Sequence, residues 1–177
     1  MGTHAVSTGS KTTLWNRLAQ HRGQVSGARG GNHRGSIFRL LIGEAVLASG
    51  RYASKDFSSW GKGSSASRAV RHAEQRLETV ISAYIGRMPF LWVPVDDNPS
   101  RESDRQTIER NAIALLSNRN REPIDPPSTG WLGLLSPRTA VRESGLWNIR
   151  HVEDRANPGF LDLLRKYASG TTRAEVR

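Results

Sequence analysis

Apolar residues recur at helical spacing in five segments of the chain, and one short run breaks that rhythm. Over residues 12–22, Leu14, Trp15 and Leu18 fall on one arc, with Thr12 or Thr13 as a cap and Gly23 as a stop, which predicts a short helix. Residues 36–49 are largely apolar, start at a capping Ser36 and end before Gly50, and predict a second. In residues 67–85, Val70, Ala73, Leu77, Val80, Ile81 and Tyr84 share a face and Gly86 follows, which predicts a third. Asp96, Asp97, Asn98 and Pro99 turn the chain into a fourth, residues 102–116, with Ile108, Ala112, Ile113, Leu115 and Leu116 as its apolar positions. Asn157 and Pro158 open the last, residues 159–168, closed by Gly170 ahead of a polar tail. The exception is MPFLWVPV, residues 88–95, whose aromatic and β-branched content predicts a strand, with Pro94 suited to an edge or strand end.

The connections differ in kind. Residues 23–35 hold five glycines, which suits a mobile loop or a backbone that approaches a ligand closely. Residues 51–66 are rich in Ser, Gly and Lys and read as a surface loop; after Asn118 the chain turns irregular, with IDPPSTGWLGLL as its clearest stretch, and no repeat is visible.

A chain of 177 residues supports one core with an appended segment rather than two full domains. No apolar run approaches the roughly 18 residues that span a bilayer, and no basic-then-apolar leader opens the sequence, so a cytoplasmic location is expected. The absence of cysteine excludes disulfides, thiolate metal sites and a cysteine nucleophile. A net charge of +10 and a pI near 11.1 point to a polyanionic partner, with nucleic acid first, because such a field concentrates anions. Arginine far outnumbers lysine; codon bias accounts for that ratio as readily as phosphate recognition does. The clustering says more. Reading from Met1, the first side-chain carboxylate is Glu44, so Lys11, Arg17, Arg22, Arg29, Arg34 and Arg39 form an uncompensated basic segment.

At about 100° per residue, Arg17 and His21 share the flank of the first helix's apolar arc and emerge together at the edge of the core. Arg17 offers fixed charge to a phosphate, and His21, with an ordinary pKa of about 6.5, can relay or accept a proton. Each candidate has a plainer alternative. Arg17 can be a solvated helix charge, Glu109 can pair with Arg105 one turn earlier, and His33 and Arg34 can be solvated loop residues. Trp92, Trp131 and Trp147 suit packing better than base stacking, and His4, His72 and His151 lack zinc-ligand spacing.

TTLWNRLAQHR, followed about ninety residues on by TIERNAIALLSN, resembles the GIY-YIG nuclease superfamily, which includes homing endonucleases, an excision-repair incision domain and some restriction enzymes. GGNHRGSIFR and LWN are further landmarks of an uncharacterised bacterial branch, and the likeness covers most of the chain. The resemblance implies an α+β fold, a small antiparallel sheet flanked by helices, over residues 1–120, with an irregular and helical C-terminal extension over 121–177 packed on the same domain. It implies Mg²⁺-dependent hydrolysis of DNA phosphodiesters, with Arg17, His21 and Glu109 catalytic, Glu109 also holding the metal, and Lys11, Arg22, Arg29, His33 and Arg34 meeting nucleic acid. Asn111, Asn118 and Asn120 are weaker candidates on the same likeness. In the family, one tyrosine lies on a first strand and another two positions before a glycine like Gly2; both would precede Met1, which implies a start recorded too late or a copy that lost them. The literal Tyr84-Ile85-Gly86 is not that motif, since it closes a predicted amphipathic helix. The alternatives to a nuclease are a non-catalytic nucleic-acid-binding module and a domain whose basic face meets an acidic protein.

Overall fold

Thr13, Ser36, Ser67 and Ser103 each turn a side-chain oxygen toward a backbone N–H three residues on, from Asn16, Arg39, Val70 and Gln106. Each satisfies a donor that the first helical turn leaves unpaired, so these residues fix where four helices begin. The computed structural model describes residues 1–4, 7–23 and 30–169. In chain order the helices are α1 (Leu14–Arg22), α2 (Ile37–Ala48), α3 (Arg68–Gly86), α4 (Asp104–Leu116), α5 (Thr139–Ser144) and α6 (Phe160–Ala168). Three single 3-10 turns, His33–Gly35, Ser54–Phe57 and Leu132–Leu135, lie between them.

The core forms where α2 meets α3. Ile42 and Val46 from α2 pack with Leu77, Ile81 and Ile85 from α3, and Phe57 and Trp60 close one side. Each such side chain removed from water contributes about 1.5–3 kcal/mol. Residues 51–66 are therefore more than the expected surface loop, because two of their aromatics are part of the core. Trp60 reaches it only because Gly43 lacks a Cβ, which would overlap the indole ring. The Leu132–Leu135 turn also packs on α2, and Arg138 spans to it with paired bonds of 2.6 and 2.7 Å to Glu44. Trp131, Trp147 and Phe38 form a chain of tilted and edge-on ring contacts beside that turn. Farther along, α4 packs against α6, and Ser117 just past α4 donates to the Val152 carbonyl at 2.6 Å.

The expected α+β arrangement is overturned. The described residues form six α-helices and contain no strand, so the small antiparallel sheet is absent from them. Residues 88–95 lack regular structure, and among the described residues the backbone of 89–94 makes no hydrogen bond. A strand is defined by its partner, and no partner lies alongside. Pro89 and Pro94 remove two of the N–H donors a ladder would need, and Leu91 is 99% exposed, so no second layer covers the run. The sequence predicts no helix at α5, because six residues are too few to show a period; the helix ends at Gly145, whose φ is +71°. The closing Gly170 lies outside the described residues.

Candidate functional site

Helix α1 buries none of its residues completely; Trp15 is 71% exposed. Its inner flank carries Arg17 and His21. Arg17 donates to Gln20 at 2.7 Å, and His21 Nδ1 lies 2.7 Å from Ser36 Oγ, with the imidazole edge-on to Phe38. Burial, followed by the positive charges of Arg17, Arg39 and the Met1 amino group, pushes the His21 pKa down to about 4. At neutral pH the ring is uncharged.

Residues 1–4 run beside this flank toward α4. The Met1 amino group donates to Asn148 Oδ1 at 2.9 Å while Asn148 Nδ2 donates back to the Met1 carbonyl at 3.0 Å. Next along the chain, Gly2 and the Thr3 backbone N–H lie beside the Glu109 carboxylate. Burial raises the Glu109 pKa; the Met1 amino group, the Thr3 N–H, His151 and Arg17 oppose that rise. Arg17 and the Met1 amino group thus lie within electrostatic reach of both His21 and Glu109. Arg105 does not pair with Glu109: its guanidinium is bound to Asp97 and to the Val95 and Asp97 carbonyls.

His33 and Arg34 point elsewhere. His33 is 2% exposed, stacks on Trp60 at 3.8 Å, meets Glu78 Oε1 through Nδ1 at 3.0 Å and accepts the Gly61 N–H on Nε2 at 3.2 Å. Arg34 makes a two-pronged contact with Glu74 at 2.6 and 2.9 Å. Both side chains are committed to carboxylates of α3 rather than presented to solvent. Lys11 and Arg22 are exposed, and Arg29 lies outside the described residues. Of the asparagines, Asn111 accepts the Asn157 N–H at 2.7 Å and Asn118 donates to the Asp125 carbonyl at 3.1 Å.

Arg39 is fully buried and holds this region together. Its guanidinium binds the Glu78 carboxylate and carbonyl, and donates to the His21 and Arg22 carbonyls at 2.8 and 3.1 Å. It therefore satisfies the open carbonyls at the end of α1 and fixes that helix to α2 and α3. Gly31 is forced by this packing, since a Cβ there would overlap the Arg39 guanidinium. Gly30 has φ +44° and its backbone lies against Glu78. The glycines thus serve close approach to a buried arginine. The sequence marks Arg39 only as one member of the basic segment and gives Glu74 and Glu78 no role; the signal it offers for them is a pair of carboxylates four apart, bracketing Leu77 on the apolar face of α3.

Among the described residues, neither Tyr52 nor Tyr84 is engaged with this cluster. Tyr52 packs on Phe57 beneath Arg76, Tyr84 lies partly buried against the α2–α3 core, and Tyr167 donates to Asp104 at 2.6 Å. Among the described residues, no group of three His, Cys, Asp or Glu side chains is placed to hold a metal ion. Glu109 is the carboxylate of this region that could hold a magnesium ion, which requires only one or two protein carboxylates and whose charge would offset the burial that raises that group's pKa. No helix of the described residues is long and apolar enough to cross a membrane.

A family model described as GIY-YIG domain matches residues 1–174. No curated protein and no solved structure matches the chain.

Proposed function

Because the chain belongs to the GIY-YIG domain family, a nuclease family, we propose that it hydrolyses phosphodiester bonds in DNA at the Arg17–His21–Glu109 cluster. The observation that carries this reading is that Arg17 and the Met1 amino group act on both His21 and Glu109, with the Glu109 carboxylate lying beside Gly2 of the N-terminal segment. Hydrolysis of a phosphodiester needs positive charge at the non-bridging oxygens, an activated water and a stabilised leaving oxygen. Arg17 supplies the first at a fixed position. Glu109 would hold Mg²⁺, which, when bound, supplies Lewis-acid stabilisation of charge on the phosphate. The exposed Lys11 and Arg22 extend the basic surface along the backbone of the duplex.

A plasmid-nicking assay with Mg²⁺ tests the reading. Arg17→Ala and Glu109→Gln are each expected to lower the rate about a hundredfold or more. Nicking unchanged in both variants sinks it. The placement of Tyr52 and Tyr84 away from the cluster supports one second reading, a non-catalytic nucleic-acid-binding module. Salt-sensitive duplex binding with no nicking would select that reading instead.

A further inference from the structure

Ser36 is 1% exposed and its hydroxyl has two neighbours. The oxygen accepts the Arg39 backbone N–H at 3.2 Å, as the cap of α2, and lies 2.7 Å from His21 Nδ1. A hydroxyl carries one proton to donate, and a buried donor left unpaired costs about 1–3 kcal/mol. The Arg39 N–H is itself a donor and cannot take that proton. Among the described residues, His21 Nδ1 is the one acceptor in reach of it.

We propose that Ser36 donates to His21 Nδ1 and so fixes the neutral imidazole with its proton on Nε2, making His21 a hydrogen-bond donor to a phosphate oxygen rather than the acceptor of a proton from water. Ser36 is then a positioning residue, acting through His21. The inference rests on the cluster being the phosphate site. The charged groups that face the ring, Arg17 on its own helix, Arg39 on α2 and the Met1 amino group, are all cationic and oppose a second proton on it. Nε2 makes no hydrogen bond among the described residues, which leaves its N–H available to a ligand. Arg39 secures the geometry from the other side, since it holds the His21 carbonyl while its own N–H orients the Ser36 oxygen.

The tautomer is read directly from the ring ¹⁵N shifts of uniformly labelled protein at pH 7, with the His21 signals identified by their loss in His21→Gln. Nδ1 is expected at the position of an unprotonated ring nitrogen and Nε2 at that of a protonated one. Adding a short DNA duplex in EDTA should move the Nε2 signal. Ser36→Thr keeps the hydroxyl and should keep this pattern, whereas Ser36→Gly, a residue tolerated at caps, should give a mixture of tautomers and weaker duplex binding. A proton on Nδ1 in the unmodified chain, an undisturbed tautomer in Ser36→Gly, or no response of His21 to DNA would each overturn the proposal. The expected tautomer and DNA response without any nicking would uphold it and overturn the hydrolytic reading alone.

Discussion

Glu109 shows how a side chain's chemistry and its stability cost separate. Its pKa is raised, so the folded chain holds that proton more tightly than the unfolded one, and the ionised carboxylate opposes folding once the pH exceeds the folded value. Glu109→Gln is accordingly expected to raise the melting temperature at pH 7, with the gain over the unmodified chain shrinking as the pH falls toward the ordinary carboxylate range. His21 runs the other way. Its folded pKa, near 4, lies below the unfolded value, so the unfolded chain binds the extra proton first and stability is lost as the pH falls from about 6.5 to about 4. Replacing His21 with Gln should flatten that part of the stability profile, measured by urea unfolding at several pH values. Arg39→Met leaves the Glu78 carboxylate buried without its guanidinium partner, and is expected to cost about 3–5 kcal/mol in the same measurement. Gly31→Ala should destabilise the fold by about 1–3 kcal/mol through overlap with Arg39.

Among the elements, the helices with an oxygen-bearing cap and a clear apolar period are legible in the sequence. The α3 period predicted residues 67–85 against an observed Arg68–Gly86, and the α2 cap at Ser36 was read directly. Residues 88–95 were not legible, because β propensity reports suitability for a pleated layer and leaves open whether a neighbouring strand exists. An exposed position there should behave as surface. Leu91→Asp is expected to change stability by less than about 0.5 kcal/mol, whereas Ile113→Ala in α4, 2% exposed, should cost about 2–5 kcal/mol. A Leu91→Asp loss comparable with that of Ile113→Ala would mean that this run is packed in solution.

Across the whole molecule, a charge of +10 makes salt the informative variable. If Lys11 and Arg22 each neutralise one phosphate, removing either should reduce the slope of log affinity against log salt by roughly 1. Arg34→Ala should instead lower stability, because its guanidinium is bound to Glu74 in the folded chain. The sequence by itself determined the helical periods, their caps and the adjacency of Arg17 and His21, since these depend on spacing within one element. Only the tertiary structure decided which basic residues remain available to a ligand. His33, Arg34 and Arg39 share the basic segment with Lys11, Arg17 and Arg22, yet folding buries them against Glu74 and Glu78, some forty residues away. The physical reason is that a buried charge requires a partner, and no one-dimensional pattern fixes which distant residue supplies it.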